Sequence, residues 1–212
     1  MFESFRRKSD PSPPSEKQAS EARMRAIKGS STAELAARLL IAPTALMQLS
    51  LAEATVVVSF MEPRRIQAGT TFIAEGDTAD TGYMLLLLDG DVTIESLAVS
   101  RKDRRIVTVL GPGSLIGEMS LLDGSARLTS CVASTDLRCA ALSRKALEKL
   151  TEHDPRTAAK LLLAISIRIA ERLREVTDKV RLYSDLVQVM QQEIDHLIPT
   201  PNKDDKPAKT RA

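Results

Sequence analysis

Between Gly113 and Ala133 the chain collects a turn glycine, a carboxylate and a guanidinium in one compact segment. Gly117 permits a positive φ and a close backbone approach. Glu118 then opens a short apolar run, Met119 to Leu122, that reads as one helical turn. The N–H groups at the start of such a turn suit an anion. Asp123-Gly124 closes the turn. Arg127 stands at the entrance to an extended segment, where its forked guanidinium can grip a phosphate. A carboxylate beside a phosphate site needs donors on the same ligand to accept from, and ribose hydroxyls supply them.

These side chains need a scaffold, and the pattern of the chain describes one. Residues 1–30, rich in Ser, Pro, Lys and Glu, read as a disordered N-terminal segment. Residues 31–60 read as N-terminal helices: Ser31 or Thr32 caps a run containing Leu35, Leu39 and Leu40, Pro43 breaks it, and a second helix spans Ser50 to Phe60. The period then changes to short strands with turn signals between them. Ile66, Phe72-Ile73, Tyr83 to Leu88, Val92 to Val99, Ile106 to Leu110, Thr129 to Val132 and Leu137 to Leu142 are the strand candidates. The run Met84 to Leu88 fits a buried helix or a doubly buried strand by periodicity; its length and the Asp89-Gly90 turn favour a strand. Arg101 to Arg105 reads as a solvated hairpin tip. The expected fold is mainly β with α: an antiparallel double-sheet jelly-roll β-barrel over 61–142, flanked by the N-terminal helices and by C-terminal helices over 143–198.

A short helix over Ser143 to Thr151 precedes a long one that starts at Asp154-Pro155, an N-cap followed by a residue tolerated at the first helical position. Ile169, Leu173, Val176, Val180, Tyr183, Val187, Met190, Ile194 and Leu197 then recur in steps of four and three. Four heptads predict a coiled coil, with Leu173, Val180, Val187 and Ile194 at a positions. The β-branched residues there favour a parallel homodimer, and Leu186 at a g position widens the seam. The alternative is an amphipathic helix lying on its own barrel. Pro199-Thr-Pro201 ends the helix, leaving residues 199–212 as a disordered polar tail.

The segment around Gly117 resembles the phosphate-binding cassette of the cyclic nucleotide-binding domain family. Gly117, Glu118, Arg127 and Ala133 fall at the family's spacing. The stretch Gly69 to Asp77 matches its early hairpin, Leu88 to Val92 its glycine turn, and Gly111-Pro-Gly113 the turn before the cassette. The similarity runs roughly from Leu49 to Tyr183. By this resemblance Glu118 holds the ribose 2′-hydroxyl and Arg127 the cyclic phosphate. The implied ligand-binding set is Gly117, Glu118, Met119, Ser120, Arg127, Leu128 and Thr129. Two positions depart from the family pattern: Leu128 replaces the usual Ala, Ser or Thr after the arginine, and Ala126 replaces the common Pro before it. A Thr at 128 would favour guanine, so a cGMP preference is unsupported; cAMP is the ligand the resemblance implies, with cGMP and cyclic di-GMP left open. One bacterial member of the family carries a Thr-Ser pair that touches the adenine where this chain has Val176-Thr177. Thr177 is therefore either a base contact, from this subunit or its partner, or an ordinary exposed helix residue. Arg168, Arg172 and Arg174 read as solvated charges.

The resemblance implies a stand-alone cyclic nucleotide sensor that signals through a dimeric C-terminal helix to an unknown protein partner. The alternatives are a degenerate, ligand-independent scaffold, with Leu128 as its mark, and a cyclic di-GMP effector. The 212 residues leave no room after the long helix for a DNA-reading domain, so no specific DNA contact is expected. A net charge of +2 is too small to argue for nucleic acid, and 3% aromatics leave no base-stacking platform. Jelly-roll metal enzymes need several histidines inside the barrel; the only two, His153 and His196, fall in the C-terminal helices. No catalytic set and no metal or other cofactor is expected. Cys131 and Cys139 fall on neighbouring predicted strands and read as free buried thiols rather than a disulfide. No apolar run approaches about 20 residues, and the N-terminus lacks the apolar core of a signal peptide. A soluble cytoplasmic protein is the expectation.

Overall fold

Ser30 takes an extended conformation (φ −98°, ψ 106°) and its hydroxyl accepts from the Ala33 amide, 3.4 Å away, in the computed structural model, which describes residues 30–97 and 104–197. This N-cap starts α1 (Ser31–Leu40) one residue before the expected Ser31 or Thr32. Helix α2 (Leu51–Val58) begins with a capping box, in which the Ser50 side chain accepts from the Glu53 amide while the Glu53 carboxylate accepts from the Ser50 amide. Of the expected N-terminal segment 1–30, the hairpin tip 101–105 and the tail 199–212, residues 1–29, 101–103 and 199–212 lie outside the described residues.

Eight strands follow: β1 (Glu62–Ile66), β2 (Thr71–Ile73), β3 (Tyr83–Asp89), β4 (Val92–Leu97), β5 (Arg104–Leu110), β6 (Leu115–Ile116), β7 (Ser130–Ala133) and β8 (Leu137–Ser143). They pair antiparallel in two sheets of four, ordered β1-β8-β3-β6 and β2-β7-β4-β5. This is the double-sheet jelly roll that the strand spacing predicts. Its interior cluster includes Ile73, Leu85, Leu87, Ile94, Cys131 and Cys139.

All six residues from Tyr83 to Leu88 are buried, so β3 is a strand covered on both faces. One face enters the barrel core and the other lies under α1 and the cassette helix. The turn that ends β3 requires glycine at position 90: φ is +91°, and a Cβ there would lie 2.5 Å from the Asp136 carbonyl oxygen. Two elements escape the sequence pattern. Most of β1 is polar and exposed, with no alternation to mark it, and the two-residue β6 is too short to show a period.

Cys131 and Cys139 follow one another in chain order on β7 and β8, but these strands belong to opposite sheets rather than being neighbours. Neither cysteine is in a disulfide, both are buried, and burial pushes the Cys139 thiol pKa up to about 11.

Ser143 caps α4 (Arg144–His153). Asp154 then accepts from both the Thr157 amide at 3.0 Å and its hydroxyl at 2.6 Å, opening the 43-residue α5 (Pro155–Leu197). The chain divides into two compact units, one up to Arg168 and one from Ile169 onwards. In the first, α5 buries Ala158, Leu161, Ala164 and Ile165. In the second, Leu173, Val180, Val187 and Ile194 are all exposed.

Candidate ligand-binding site

Strand β6 runs into Gly117, whose φ of +81° and ψ of 15° turn the chain into α3 (Glu118–Asp123). The first intrahelical bond is donated by Leu121 to the Gly117 carbonyl at 3.2 Å. The amides of Glu118, Met119 and Ser120 therefore precede the helical ladder. Gly124, also left-handed at φ +74°, closes α3 by donating its amide to Ser120. Arg144 seals the same end, its Nη2 donating to the carbonyls of Ser120 at 3.1 Å and Leu121 at 2.7 Å. The cassette helix is thus pinned between a left-handed entry and a guanidinium-capped exit.

Arg127 is held by its backbone and by its side chain. Its amide donates to the Asp77 carbonyl and its carbonyl accepts from the Gly76 amide, so the early hairpin grips the cassette arginine. Arg127 is only 4% exposed. Nη1 donates to the Gly117 carbonyl at 3.2 Å, and Nη2 donates to the carbonyls of Asp80 at 2.8 Å and Tyr83 at 3.2 Å. Its central carbon lies 4.5 Å from the Tyr83 ring centroid. Three hydrogen bonds leave two of the five guanidinium N–H donors. One of them, on Nε, is buried and has no partner among the described residues. A buried donor of this kind is costly unless an acceptor reaches it.

Glu118 is 3% exposed, Ser120 is buried and Met119 is exposed. The bond from Arg127 Nη1 to the Gly117 carbonyl brings the arginine to the start of α3, the helix that carries Glu118 and Ser120. Leu128 is 65% exposed and Thr129 half-buried. Thr177 lies in the second compact unit, where its hydroxyl donates to the Leu173 carbonyl at 2.8 Å. A cavity of about 480 Å³, lined among others by Ala33, Val58, Arg65, Arg138 and Ala140, contains none of these residues.

Sequence reasoning missed Asp80, Tyr83 and Arg144. Asp80 contributes only a backbone carbonyl, which no residue type announces. Tyr83 was visible as a strand residue but carried no sign of its contact with Arg127. Its hydroxyl donates to the Phe72 carbonyl at 3.2 Å, and burial raises its pKa, partly offset by the nearby Arg127 charge. No group of His, Cys, Asp and Glu able to hold a metal occurs among the described residues. No helix among them is long and apolar enough to cross a membrane.

Residues 63–154 match the cyclic nucleotide-binding domain family. The chain is 32% identical over 132 residues to the cyclic AMP receptor protein of Thermus thermophilus, covering 62% of this chain and 58% of that protein. It is 26% identical to a CRP-like cAMP-activated global transcriptional regulator of Mycobacterium tuberculosis, covering 62% of this chain and 60% of the regulator. The crystal structure of a cyclic nucleotide-binding domain from Methylobacillus flagellatus superposes with a TM-score of 0.61 at 29% identity, covering 74% of this chain and 85% of that one. The alignments span about three fifths of the length of these curated relatives. The double-sheet jelly roll, the glycine-led helix α3 and the buried Arg127 fall in the segment that matches the cyclic nucleotide-binding domain family, residues 63–154.

Proposed function

We propose that this protein binds a cyclic mononucleotide, cAMP, at the cassette and acts as a sensor without a catalytic step of its own. The observation that carries this reading is the buried Arg127 Nε, a donor lacking a partner among the described residues, on a guanidinium whose Nη1 bonds the carbonyl of Gly117, the residue before the buried Glu118. A cyclic phosphate oxygen satisfies that donor, and Glu118 accepts from the ribose 2′-hydroxyl. The named function of the Thermus and Mycobacterium relatives supports cAMP over other cyclic nucleotides. Ligand shifts the balance between two arrangements of cassette and long helix by binding one of them more tightly. The exposed Leu173, Val180, Val187 and Ile194 support a parallel homodimer through α5, whose geometry is read by a partner protein in the cytoplasm.

Titration calorimetry with cAMP, cGMP and cyclic di-GMP tests the proposal. Arg127→Ala is expected to weaken cAMP binding by about 2–4 kcal/mol, roughly 30-fold to 1000-fold, because it strands the phosphate. Glu118→Ala is expected to weaken cAMP binding too, with a smaller effect on a 2′-deoxy analogue. Unchanged affinity in Arg127→Ala defeats the assignment.

A second reading has its own observation. Arg127 already donates to three carbonyls, as it would in a scaffold that needs no ligand. Thermal unfolding separates the two. A ligand at 100 times its Kd adds about 2.7 kcal/mol, whereas a scaffold shows no shift with any cyclic nucleotide.

A further inference from the structure

Tyr83 meets Arg127 in two ways. Its carbonyl accepts from Nη2 at 3.2 Å, and its ring lies 4.5 Å beneath the guanidinium carbon. The ring is itself fixed. Tyr83 is 6% exposed, and its hydroxyl donates to the Phe72 carbonyl at 3.2 Å. Arg64 approaches the same ring, with its guanidinium carbon 4.8 Å from the centroid. Arg64 is exposed, while Arg127 is 4% exposed, so the ring's attraction for a cation acts more strongly on Arg127. An arginine side chain held in one place loses little further freedom when an anion arrives.

We infer that Tyr83 is the positioning residue for the cassette arginine: its anchored ring fixes the Arg127 guanidinium with the Nε donor set for an anion. Phe72 matters here through its carbonyl, which orients the ring from β2. Arg64 is a bystander on the ring and does not carry the effect. The inference rests on the reading of Arg127 as the phosphate contact, but the position of the guanidinium can be measured without any ligand.

The experiment uses the full chain and cAMP as the probe. Tyr83→Leu is expected to weaken binding on the order of 10-fold. Tyr83→Phe, which keeps the ring, restores most of that loss. The Tyr83→Leu/Arg127→Ala double variant binds no more weakly than Arg127→Ala alone, because Tyr83 acts through Arg127. Parental affinity in Tyr83→Leu, losses that add in the double variant, or a loss in Arg64→Ala as large as in Tyr83→Leu would each overturn the inference. Ligand-free NMR of the arginine Nε–H groups supplies the independent readout. The Arg127 signal is expected to be protected from exchange and shifted by the ring in the parent and in Tyr83→Phe, and to lose both properties in Tyr83→Leu. An unmoved signal overturns the inference. If Arg127→Ala binds cAMP as tightly as the parent, the cassette reading fails, and the NMR result alone decides the role of Tyr83. Should Tyr83→Leu not fold, Tyr83→Met, whose flexible side chain fills irregular space, takes its place in every measurement.

Discussion

The guanidinium of Arg127 occupies the space into which a side chain on Gly117 would project. A Cβ built at Gly117 runs into Arg127 Nη1 and lies 3.1 Å from the Tyr83 carbonyl oxygen. The same glycine sits at φ +81° and its carbonyl accepts from Nη1. The turn and the arginine are thus parts of one construction.

Gly117→Ala tests that construction. The left-handed backbone alone costs a non-glycine residue about 1–2 kcal/mol. Unlike an ordinary strained turn, this one also expels the guanidinium. The variant is expected to unfold at lower temperature and to lose cAMP affinity on the scale of Arg127→Ala. Calorimetry of unfolding and of binding, on the same preparation, checks both. Loss of stability with full affinity would show that Arg127 can relocate freely.

Acid should weaken the attachment of α2 to α5 in a defined window. Lys160 Nζ donates to the Glu53 carboxylate at 2.5 Å, and the Ser50 amide and hydroxyl donate to it at 2.9 Å each. The Lys160 bond first and the Ser50 bonds second hold the Glu53 pKa down at about 2, against an ordinary 4.5. A carboxyl depressed in the folded state contributes stability that is complete above its unfolded pKa and fades as pH falls through the folded one. The contribution is therefore expected to be full above about pH 4.5 and lost towards pH 2. Glu53→Gln should flatten this part of the acid limb in urea midpoints measured against pH. An identical pH dependence in the variant rules out the role of Glu53.

The proposed dimer seam makes a prediction about mass. Val180 and Val187 are 60% and 65% exposed and stand at successive a positions. A lysine at either position would bury a charge between two helices. Val187→Lys is expected to raise the dimer dissociation constant at least 100-fold, about 3 kcal/mol. Light scattering should then report the 23.1 kDa chain in place of its dimer. A parental mass in Val180→Lys/Val187→Lys excludes the seam, and a monomeric parent excludes the dimer.

Much of the architecture was legible because it depends on neighbours along the chain. Ser50, Ser143 and Asp154 each announce a helix through a side chain that reaches an amide three residues on. Tyr83 to Leu88 was harder, since continuous apolar residues fit a buried helix as well as a strand. Its two buried faces come from α1 and the barrel interior, both remote in sequence. The first helix cap was misplaced by one residue because three adjacent hydroxyls, Ser30, Ser31 and Thr32, compete for the role. Only the backbone angles select Ser30.

What the sequence alone determined is the inventory of the cassette: a glycine that can turn left-handed because it lacks a side chain, the acid after it and the arginine downstream. What the tertiary structure alone decided is where the guanidinium rests. Nη2 of Arg127 finds the carbonyls of Asp80 and Tyr83, 47 and 44 residues earlier in the chain. Every residue carries a carbonyl, so residue types cannot single out these two acceptors. The packing of β3 beside β6 does, by bringing a particular pair of backbone oxygens to a buried cation.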